Sequence, residues 1–429
     1  MTDLSTLNAR ARNIADLVRW KTEAWLDPGT VKWYSGRMVE NESTNRLKNA
    51  LEINAIKRFV RGAKIIDIGT GTGRAALPLI ASGYALTGID SSQAMLDELK
   101  RLAGDLPIVL KAGDLFDLPC SDQSFDCAVA LNVLVHFSSW RESLREWQRV
   151  VRPGGRLIFD IHSLDHVTAA YGRDSAFWPP SLKRSCDPKN FIDYVSRISV
   201  DDLVSFANEA GFSIAAVMPY GAFLGGGNTN WLQYEELEST HKWKRVLSWF
   251  ARDQGLMDLG LFLEKALISC LTPRITGRMF VILDNKRDEA GNARFAADLK
   301  ARDQALDQRD FAALAPWLPM KPEAYAAQFE RLLAPLRSRH FFFLLYRSLL
   351  ARCPGFDFRA ALPEATQRQM TEWMRMGSID RQAVEIARHW CAAGEFRMQN
   401  GVDVSLGVEY FLVRDLLSKY FGLFSGDPR

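Results

Sequence analysis

Between residues 63 and 218 the chain alternates short apolar runs with amphipathic segments. The apolar runs are nearly free of polar side chains, which is typical of strands buried on both faces of a sheet. Strands that alternate with helices indicate βαβ units and therefore a mostly parallel sheet with helices on both faces. The predicted strands are residues 63–68, 85–90, 108–110, 125–131, 156–161 and 212–218, with a seventh at 279–283.

The amphipathic segments between these strands predict the helices that cover the sheet. Gly83 and Gly211 end two of them, because glycine readily adopts the backbone conformation that stops a helix. The Arg-Pro-Gly-Gly stretch at 152–155 predicts a turn before the fifth strand. The predicted helices are residues 74–82, 93–102, 138–151 and 201–210, with two apolar helices at 237–251 and 256–271 in an insertion.

This pattern divides the chain into three parts. Residues 1–60 predict an N-terminal helical lid segment, in which Trp33 and Tyr34 either close over a ligand or pack in the core. Residues 61–286 predict an α/β domain with a doubly wound seven-stranded, mostly parallel sheet, and the insertion at 221–278 predicts a helical cap. Residues 287–429 predict an all-helical C-terminal domain of unknown role. A length of 429 residues favours more than one domain.

Composition and charge narrow the function classes. The formal net charge is only +3, so the chain lacks the strongly basic field of a nucleic-acid binder, and a nucleic-acid partner is disfavoured. The six cysteines are scattered without a zinc-like spacing, so no metal site is predicted. The sequence shows neither a secretory signal nor the run of about 20 apolar residues that a membrane span needs. We therefore expect no membrane span and a cytoplasmic location.

The candidate ligand site begins with the turn after the first strand, Asp67-Ile-Gly-Thr-Gly-Thr-Gly73. A glycine-rich turn between a strand and a helix lets a ligand approach the backbone closely, but alone it is a weak signal. Dinucleotide sites carry the spacing G-x-G-x-x-G and place a pyrophosphate at the helix N-terminus. Here the spacing is G-x-G-x-G, and the preceding Asp67 would repel a pyrophosphate. A carboxylate attracts a ligand with an ammonium group and a sulfonium, which favours S-adenosylmethionine over NAD.

Two more carboxylates follow the next two strands. Asp90 ends the second strand, where an acid can hydrogen-bond both hydroxyls of a ribose. Asp114 follows the third strand, where an acid can accept from the amino group of adenine. Ligands of such sheets bind at the carboxyl ends of the strands, so the three acids are expected at one site. Taken singly, Asp67 could instead cap its turn and Asp90 could cap the following helix.

Five stretches together resemble the class I S-adenosylmethionine-dependent methyltransferase family, whose fold is Rossmann-like: residues 67–73, 88–95, 113–119, 124–132 and 151–155. The resemblance is strong over residues 60–165 and looser to 286. It implies that Gly69 and Gly71 line the methionine half of the cofactor, that Asp90 binds the ribose, and that Met95 packs on the adenine, although Met95 alone would indicate core packing. The expected cofactor-binding residues are Asp67, Gly69, Thr70, Gly71, Gly73, Asp90, Ser91, Met95, Asp114, Leu115 and Asn132.

Candidates for a general base are His136, which follows the fourth strand, and His162, which ends the fifth. An imidazole titrates near neutrality, which suits removal of a proton from a hydroxyl acceptor. Each histidine could equally well cap or pack locally. The Leu131-Asn-Val-Leu stretch after the fourth strand differs from the Asn/Asp-Pro-Pro-aromatic motif of enzymes that methylate amino groups of nucleic-acid bases, so that activity is disfavoured.

The resulting functional hypothesis is an S-adenosylmethionine-dependent methyltransferase that acts on oxygen or nitrogen of a small molecule or glycan. Two alternatives stay open. The C-terminal helices could dock a protein or RNA acceptor, or they could form a homodimer. The α/β domain could also bind the cofactor without catalysing methyl transfer. The same fold serves many acceptors, so the substrate part of the hypothesis is an analogy.

Overall fold

The computed structural model describes residues 27–36, 42–178, 180–190, 194–221, 254–308 and 311–333. Within these ranges an eight-stranded sheet is covered by helices on both faces. The strands are β1 Lys64–Ile68, β2 Ala85–Asp90, β3 Ile108–Ala112, β4 Phe125–Ala130, β5 Val151–Ser163, β6 Arg197–Ile198, β7 Ser213–Tyr220 and β8 Arg278–Asp284.

Eleven helices of the described ranges surround the sheet or connect its strands. They are α1 Pro28–Ser35, α2 Glu42–Phe59, α3 Ala76–Ile80, α4 Gln93–Ala103, α5 Trp140–Val150, α6 Leu164–Tyr171, α7 Pro180–Cys186, α8 Val200–Ala210, α9 Gln254–Ala266, α10 Glu289–Gln308 and α11 Pro322–Leu333. None of these helices is both long and apolar enough to cross a membrane. The same residues contain no group of three His, Cys, Asp or Glu placed to bind a metal ion.

The strand order places the candidate site. It is β3-β2-β1-β4-β5-β8-β7, with β6 pairing beside the end of β5. β1 to β5 are mutually parallel, and β8 is antiparallel to both β5 and β7. The chain runs outward from β1 to β3 and then returns to β4 on the other side of β1, which makes a topological switch point between β1 and β4. The carboxyl ends of the parallel strands meet there, at one edge of the sheet.

Two hydrophobic cores hold the helices to the sheet. One face packs against α2, α3 and α9, and the other packs against α5 and α8. The predicted helix 256–271 is α9 continued by a 3-10 turn, and its buried Met257, Leu259 and Leu263 belong to the first core, so it is a packing helix. The predicted helix 237–251 lies outside the described residues.

The mostly parallel, doubly wound sheet predicted from the apolar runs is confirmed, and three details differ. The stretch 152–155 is part of β5 rather than a turn; Gly154 has φ +76 and the register with β4 shifts there, so the strand bulges and continues. β3 is an edge strand whose Val109 is 53% exposed, so burial on both faces does not hold for it. The two-residue β6 was not predicted, because two residues are too short for a periodic signal.

The first part of the predicted C-terminal domain packs on the sheet. The buried Asn292 of α10 donates from Nδ2 to the Phe212 carbonyl, and its Oδ1 accepts from the Ile214 amide. Leu306 of α10 and Tyr325 of α11 belong to the same hydrophobic core as α2 and α9. The division at residue 287 stays a prediction, because residues 334–429 lie outside the described ranges.

We expect Asn292→Ala to lower the free energy of unfolding by about 2 kcal/mol, because it leaves a buried amide and a buried carbonyl without partners. Gln304→Ala on the exposed side of the same helix is the matched control and should change stability by less than about 0.5 kcal/mol. Urea unfolding of the purified chain measures both. Equal stability of the two variants would show that α10 does not fold together with the sheet.

Candidate active site

The turn after β1 depends on glycine at three positions. Gly69, Gly71 and Gly73 have φ angles of +66°, +52° and +91°, in the left-handed region that other residues rarely adopt. A Cβ at Gly69 would also lie 2.5 Å from Cγ2 of Val133. At Gly71 the nearest atom is Cε1 of Tyr34, 3.9 Å away. Gly71 is therefore the member of the turn with open space in front of it.

Asp67 lies buried at the end of β1, where its Oδ2 accepts a 2.7 Å hydrogen bond from the Thr70 hydroxyl. Burial raises the pKa of the Asp67 carboxyl to about 7; the Thr70 bond opposes that rise and the negative charge of Asp90 adds to it. A hydrogen bond from the backbone amide of Ala76 also lowers the pKa of Asp67. Asp67 thus helps to shape the turn through its hydrogen bond with Thr70. When Asp67 is ionised, no positively charged side chain of the described residues balances its charge.

Asp90 joins the ends of two strands. Its Oδ2 accepts the Gly71 amide at 2.8 Å, and its Oδ1 accepts the Ser92 amide at 2.9 Å. Burial raises the pKa of Asp90, and the hydrogen bonds that it accepts from the backbone amides of Ser92 and Gly71 partly offset that rise. The N-cap of α4 is Ser92, whose Oγ accepts from the Met95 amide, so the alternative role of Asp90 as that helix cap is wrong.

The remaining residues expected at the cofactor lie around these acids. The Gly113 amide donates to the Asp90 carbonyl at 3.0 Å, which brings the end of β3 next to the end of β2. Asp114 is exposed, and its Oδ1 accepts from the Phe116 amide, so it also shapes its own turn. Met95 is 3% exposed, Leu115 is half-buried and Ser91 is exposed. The structure brings these residues together at one edge of the sheet.

The residues at this edge fit S-adenosylmethionine. In the described part of the chain, no basic side chain neutralises Asp67 or Asp90, and the raised pKa of Asp67 reflects that. A ligand that carries an ammonium group and a sulfonium would supply the missing positive charge. Gly71 leaves room for that ligand against the backbone. A pyrophosphate would add negative charge to two buried carboxylates.

Asn132 follows β4 in a strained conformation. Its φ is +58°, which is unusual outside glycine and marks a position that the surroundings hold in place. Its amide donates to Oδ1 of Asp160 on β5. Its Oδ1 lies 3.3 Å from Nζ of Lys48 and 3.5 Å from Nη1 of Arg278, while its buried Nδ2 has no hydrogen-bond partner.

A buried polar network connects α2 to the sheet, and sequence reasoning missed it. Glu52 of α2 is fully buried and ion-paired with Arg74, which follows the glycine turn. The Tyr220 hydroxyl lies 2.9 Å from Oε1 of Glu52 and 3.2 Å from Oδ2 of Asp160. Burial, followed by the negative charge of Asp160, raises the pKa of Tyr220, so this phenol stays protonated. The available signal was a lone acid between the apolar residues of α2.

The two candidate bases lie on neighbouring segments. His162 is buried near the end of β5, and His136 is half-buried in a 3-10 turn, Leu134–His136. The Ser196 amide donates to the Val135 carbonyl, which holds that turn against the strand β6 beside His162. His166 lies in the first turn of α6 with its Nδ1 2.7 Å from the Arg274 carbonyl, a contact that fits a packing role.

Comparison with known proteins identifies a methyltransferase domain in this part of the chain. Residues 66–159 match the family model described as a methyltransferase domain. The chain is 33% identical over 146 residues to an O-methyltransferase of Aspergillus sclerotiorum, a match that covers 33% of this chain and 52% of that protein. It is 38% identical over 100 residues to the demethylmenaquinone methyltransferase of Clavibacter sepedonicus, covering 23% of this chain and 41% of that protein.

The family match lies within the domain that carries the site, and the chain spans about half the length of the curated relatives that it matches. An S-adenosylmethionine-dependent methyltransferase from Mesorhizobium loti overlaps with 56% of this chain and 99% of its own, at 18% identity and a TM-score of 0.36. The glycine turn, the strand order and the family match agree with one another. The resemblance of the sheet domain to the class I S-adenosylmethionine-dependent methyltransferases is therefore confirmed by the family match over residues 66–159.

Proposed function

We propose that this chain transfers a methyl group from S-adenosylmethionine to an oxygen or nitrogen of a small molecule or glycan. The observation that carries this proposal is the Asp90 carboxylate bonded to the Gly71 amide beside the buried Asp67, which makes one negatively charged site from two strand ends. The relative named as an O-methyltransferase supports oxygen as the acceptor atom, and the other relative is named for a small-molecule acceptor, demethylmenaquinone.

In this proposal each strand end binds one part of the cofactor. Asp67 and the turn of Gly69, Thr70, Gly71 and Gly73 hold the methionine end, and Asp90 with Ser91 holds the ribose. Met95, Asp114, Leu115 and Asn132 line the remaining surface. The bound cofactor supplies an activated methyl group whose leaving group is a neutral thioether, so the chain's main task is to place the acceptor in line with it.

A hydroxyl acceptor also loses a proton, and the chain offers His162 and His136 to accept it. Both lie at the carboxyl edge of the sheet, on the side of β4 and β5, next to the strand ends that hold the cofactor. An imidazole can accept a proton near neutral pH, which suits this role. An amine acceptor would need the base less.

The general test is transfer of labelled methyl from S-adenosylmethionine into an extract of cells that express this chain. The extract is divided into small-molecule, glycan, lipid, RNA and protein fractions, and Asp90→Ala serves as the control. Label in the small-molecule or glycan fraction that disappears with the variant supports the proposal. Label in the protein or RNA fraction alone contradicts the acceptor class.

We expect Asp90→Asn to weaken S-adenosylmethionine binding by about 10- to 100-fold, because the lost charge-assisted hydrogen bonds correspond to about 1.5–3 kcal/mol. Asp97→Asn, an exposed acid on the next helix, is the matched control and should bind the cofactor with unchanged affinity. Calorimetric titration measures both. Unchanged affinity in Asp90→Asn would remove Asp90 from the cofactor site.

We expect cofactor affinity to fall as the pH drops below 7, because a protonated Asp67 no longer attracts a cation and its pKa is about 7 without ligand. Binding should therefore release a proton at pH 6, which calorimetry in two buffers of different ionisation enthalpy detects. Asp67→Asn should abolish the release. A buffer-independent binding enthalpy for the unmodified chain would show that Asp67 does not face the positive groups of the ligand.

The same carboxyl gives ligand-free stability a defined pH dependence. Its pKa in the folded chain, about 7, lies above the ordinary 3.8, so the folded state binds more protons than the unfolded state between these values. The contribution of Asp67 to stability is therefore complete below pH 4 and is lost as the pH rises through 7. Relative to the unmodified chain, Asp67→Asn should become progressively more stable over that window in urea unfolding. A stability difference that stays constant from pH 4 to 8 would contradict the assignment.

A further inference from the structure

His162 lies in a row of side chains that crosses four strands. In the sheet register it pairs with Arg197 of β6 on one side and with Arg278 of β8 on the other, and Arg278 pairs in turn with Tyr220 of β7. Directly paired residues on neighbouring strands place their side chains on the same face of a sheet. The candidate base is therefore flanked by two arginines at the carboxyl edge.

Arg197 is held in a fixed orientation. Its Nη1 donates to the carbonyls of Ser185 at 3.1 Å and Val195 at 2.9 Å, and it lies 3.5 Å from Sγ of Cys186. Its Nε and Nη2 are buried and have no hydrogen-bond partner. These two nitrogens form one side of the guanidinium, the fork that binds a carboxylate or phosphate with two parallel hydrogen bonds.

A buried guanidinium without a counter-charge is costly, which makes this fork unusual. Two other buried arginines have acidic partners: Arg74 pairs with Glu52, and Arg156 pairs with Asp284 at 2.7 Å. No carboxylate of the described ranges pairs with Arg197. Burial lowers the pKa of Arg197, and the neighbouring Cys186 and Tyr194 only partly offset that effect. Among the described residues, the guanidinium of Arg197 therefore has no anionic partner.

The second arginine of the row adds positive charge on the other side of His162. Nη1 of Arg278 lies 3.5 Å from Oδ1 of Asn132, a neutral acceptor that Nζ of Lys48 also approaches. In the parts of the chain that the structure describes, Arg278 forms no ion pair with a carboxylate. The buried Nδ2 of Asn132, which has no hydrogen-bond partner, is a further donor beside these cations. The row therefore presents donors and positive charge from both sides of the histidine.

We infer that this row, defined as Arg197, His162, Arg278 and Tyr220, binds an oxyanionic group of the methyl acceptor, a carboxylate or a phosphate. Arg197 binds the anion through Nε and Nη2, and Arg278 contributes the second positive charge. The anion fixes the acceptor beside His162, so that the group to be methylated is chosen by its distance from the anionic end. The assignment of this anion to a methyl acceptor rests on the proposed function. Anion binding itself can be measured without turnover.

The test uses the full chain and three probes: benzoate, its neutral analogue benzamide, and inorganic phosphate. Calorimetry or thermal shift measures their binding to the unmodified chain, to Arg197→Met and to Arg197→Lys. Arg302→Met is the matched control, because Arg302 is another buried arginine that donates to two carbonyls and has an Nε without a partner, but it lies on α10 and is not a member of the row. S-adenosylmethionine affinity is measured for every variant.

We expect benzoate or phosphate, but not benzamide, to bind the unmodified chain and the Arg302→Met control. Arg197→Met should weaken that binding at least tenfold. Arg197→Lys keeps the charge without the fork and should weaken it less. Preference for benzoate identifies a carboxylate acceptor, and preference for phosphate identifies a phosphorylated one. If Arg197→Met does not fold, the comparison rests on Arg197→Lys and Arg278→Gln, each of which should still lower anion affinity.

Two results would overturn the inference: binding of neither benzoate nor phosphate above that of benzamide, or anion affinity that is the same in the unmodified chain and in the Arg197 and Arg278 variants. Failure of the proposed function looks different, because S-adenosylmethionine would then fail to bind or to donate its methyl group while the anion site kept its affinity. As a second readout, 4-hydroxybenzoate and 4-hydroxybenzamide are compared as acceptors of labelled methyl. We expect methylation of 4-hydroxybenzoate but not of 4-hydroxybenzamide, and a raised KM for 4-hydroxybenzoate in Arg197→Lys.

Discussion

The hydrogen bond from the Gly71 amide to the Asp90 carboxylate is the interaction on which the site depends. It joins the glycine turn after β1 to the end of β2, and the Gly113 amide extends the connection to β3 through the Asp90 carbonyl. Backbone amides are rigid donors, so the three strand ends keep a fixed spacing before any ligand arrives. The buried Asp67 beside them leaves negative charge that a cationic cofactor would neutralise.

The other half of this sheet edge, on the side of β5, β7 and α2, is built from buried charged and polar side chains rather than from a glycine turn. Glu52, Arg74, Tyr220 and Asp160 connect α2 to the turn, to β7 and to β5. Removing one member of such a network leaves an uncompensated charge, which is far more costly than the pair is stabilising. Helix α2 is thereby held at the candidate site by polar contacts as well as by its apolar residues Leu47, Leu51 and Ile56.

The two halves have opposite character. The ends of β1 and β2 present carboxylates, and the ends of β5, β6 and β8 present arginines around His162. If the acceptor is anionic, as we propose, a cationic methyl donor and that acceptor would each be attracted to its own half, and the charge pattern would order the two ligands along the edge. The strained backbone of Asn132 lies where the halves meet, with its amide on Asp160 and its side chain near Lys48 and Arg278.

The sequence by itself determined the strands, the mostly parallel sheet, the glycine turn and the acids at successive strand ends, because all of these depend on local periodicity and on spacing along the chain. It could not place Glu52 against Tyr220, 168 residues away, or set Arg197 and Arg278 on either side of His162. Nor could it show that 152–155 continues a strand or that β3 lies at an edge. Only the tertiary structure decided these points, because strand order and long-range pairing depend on which buried groups meet and not on any local pattern.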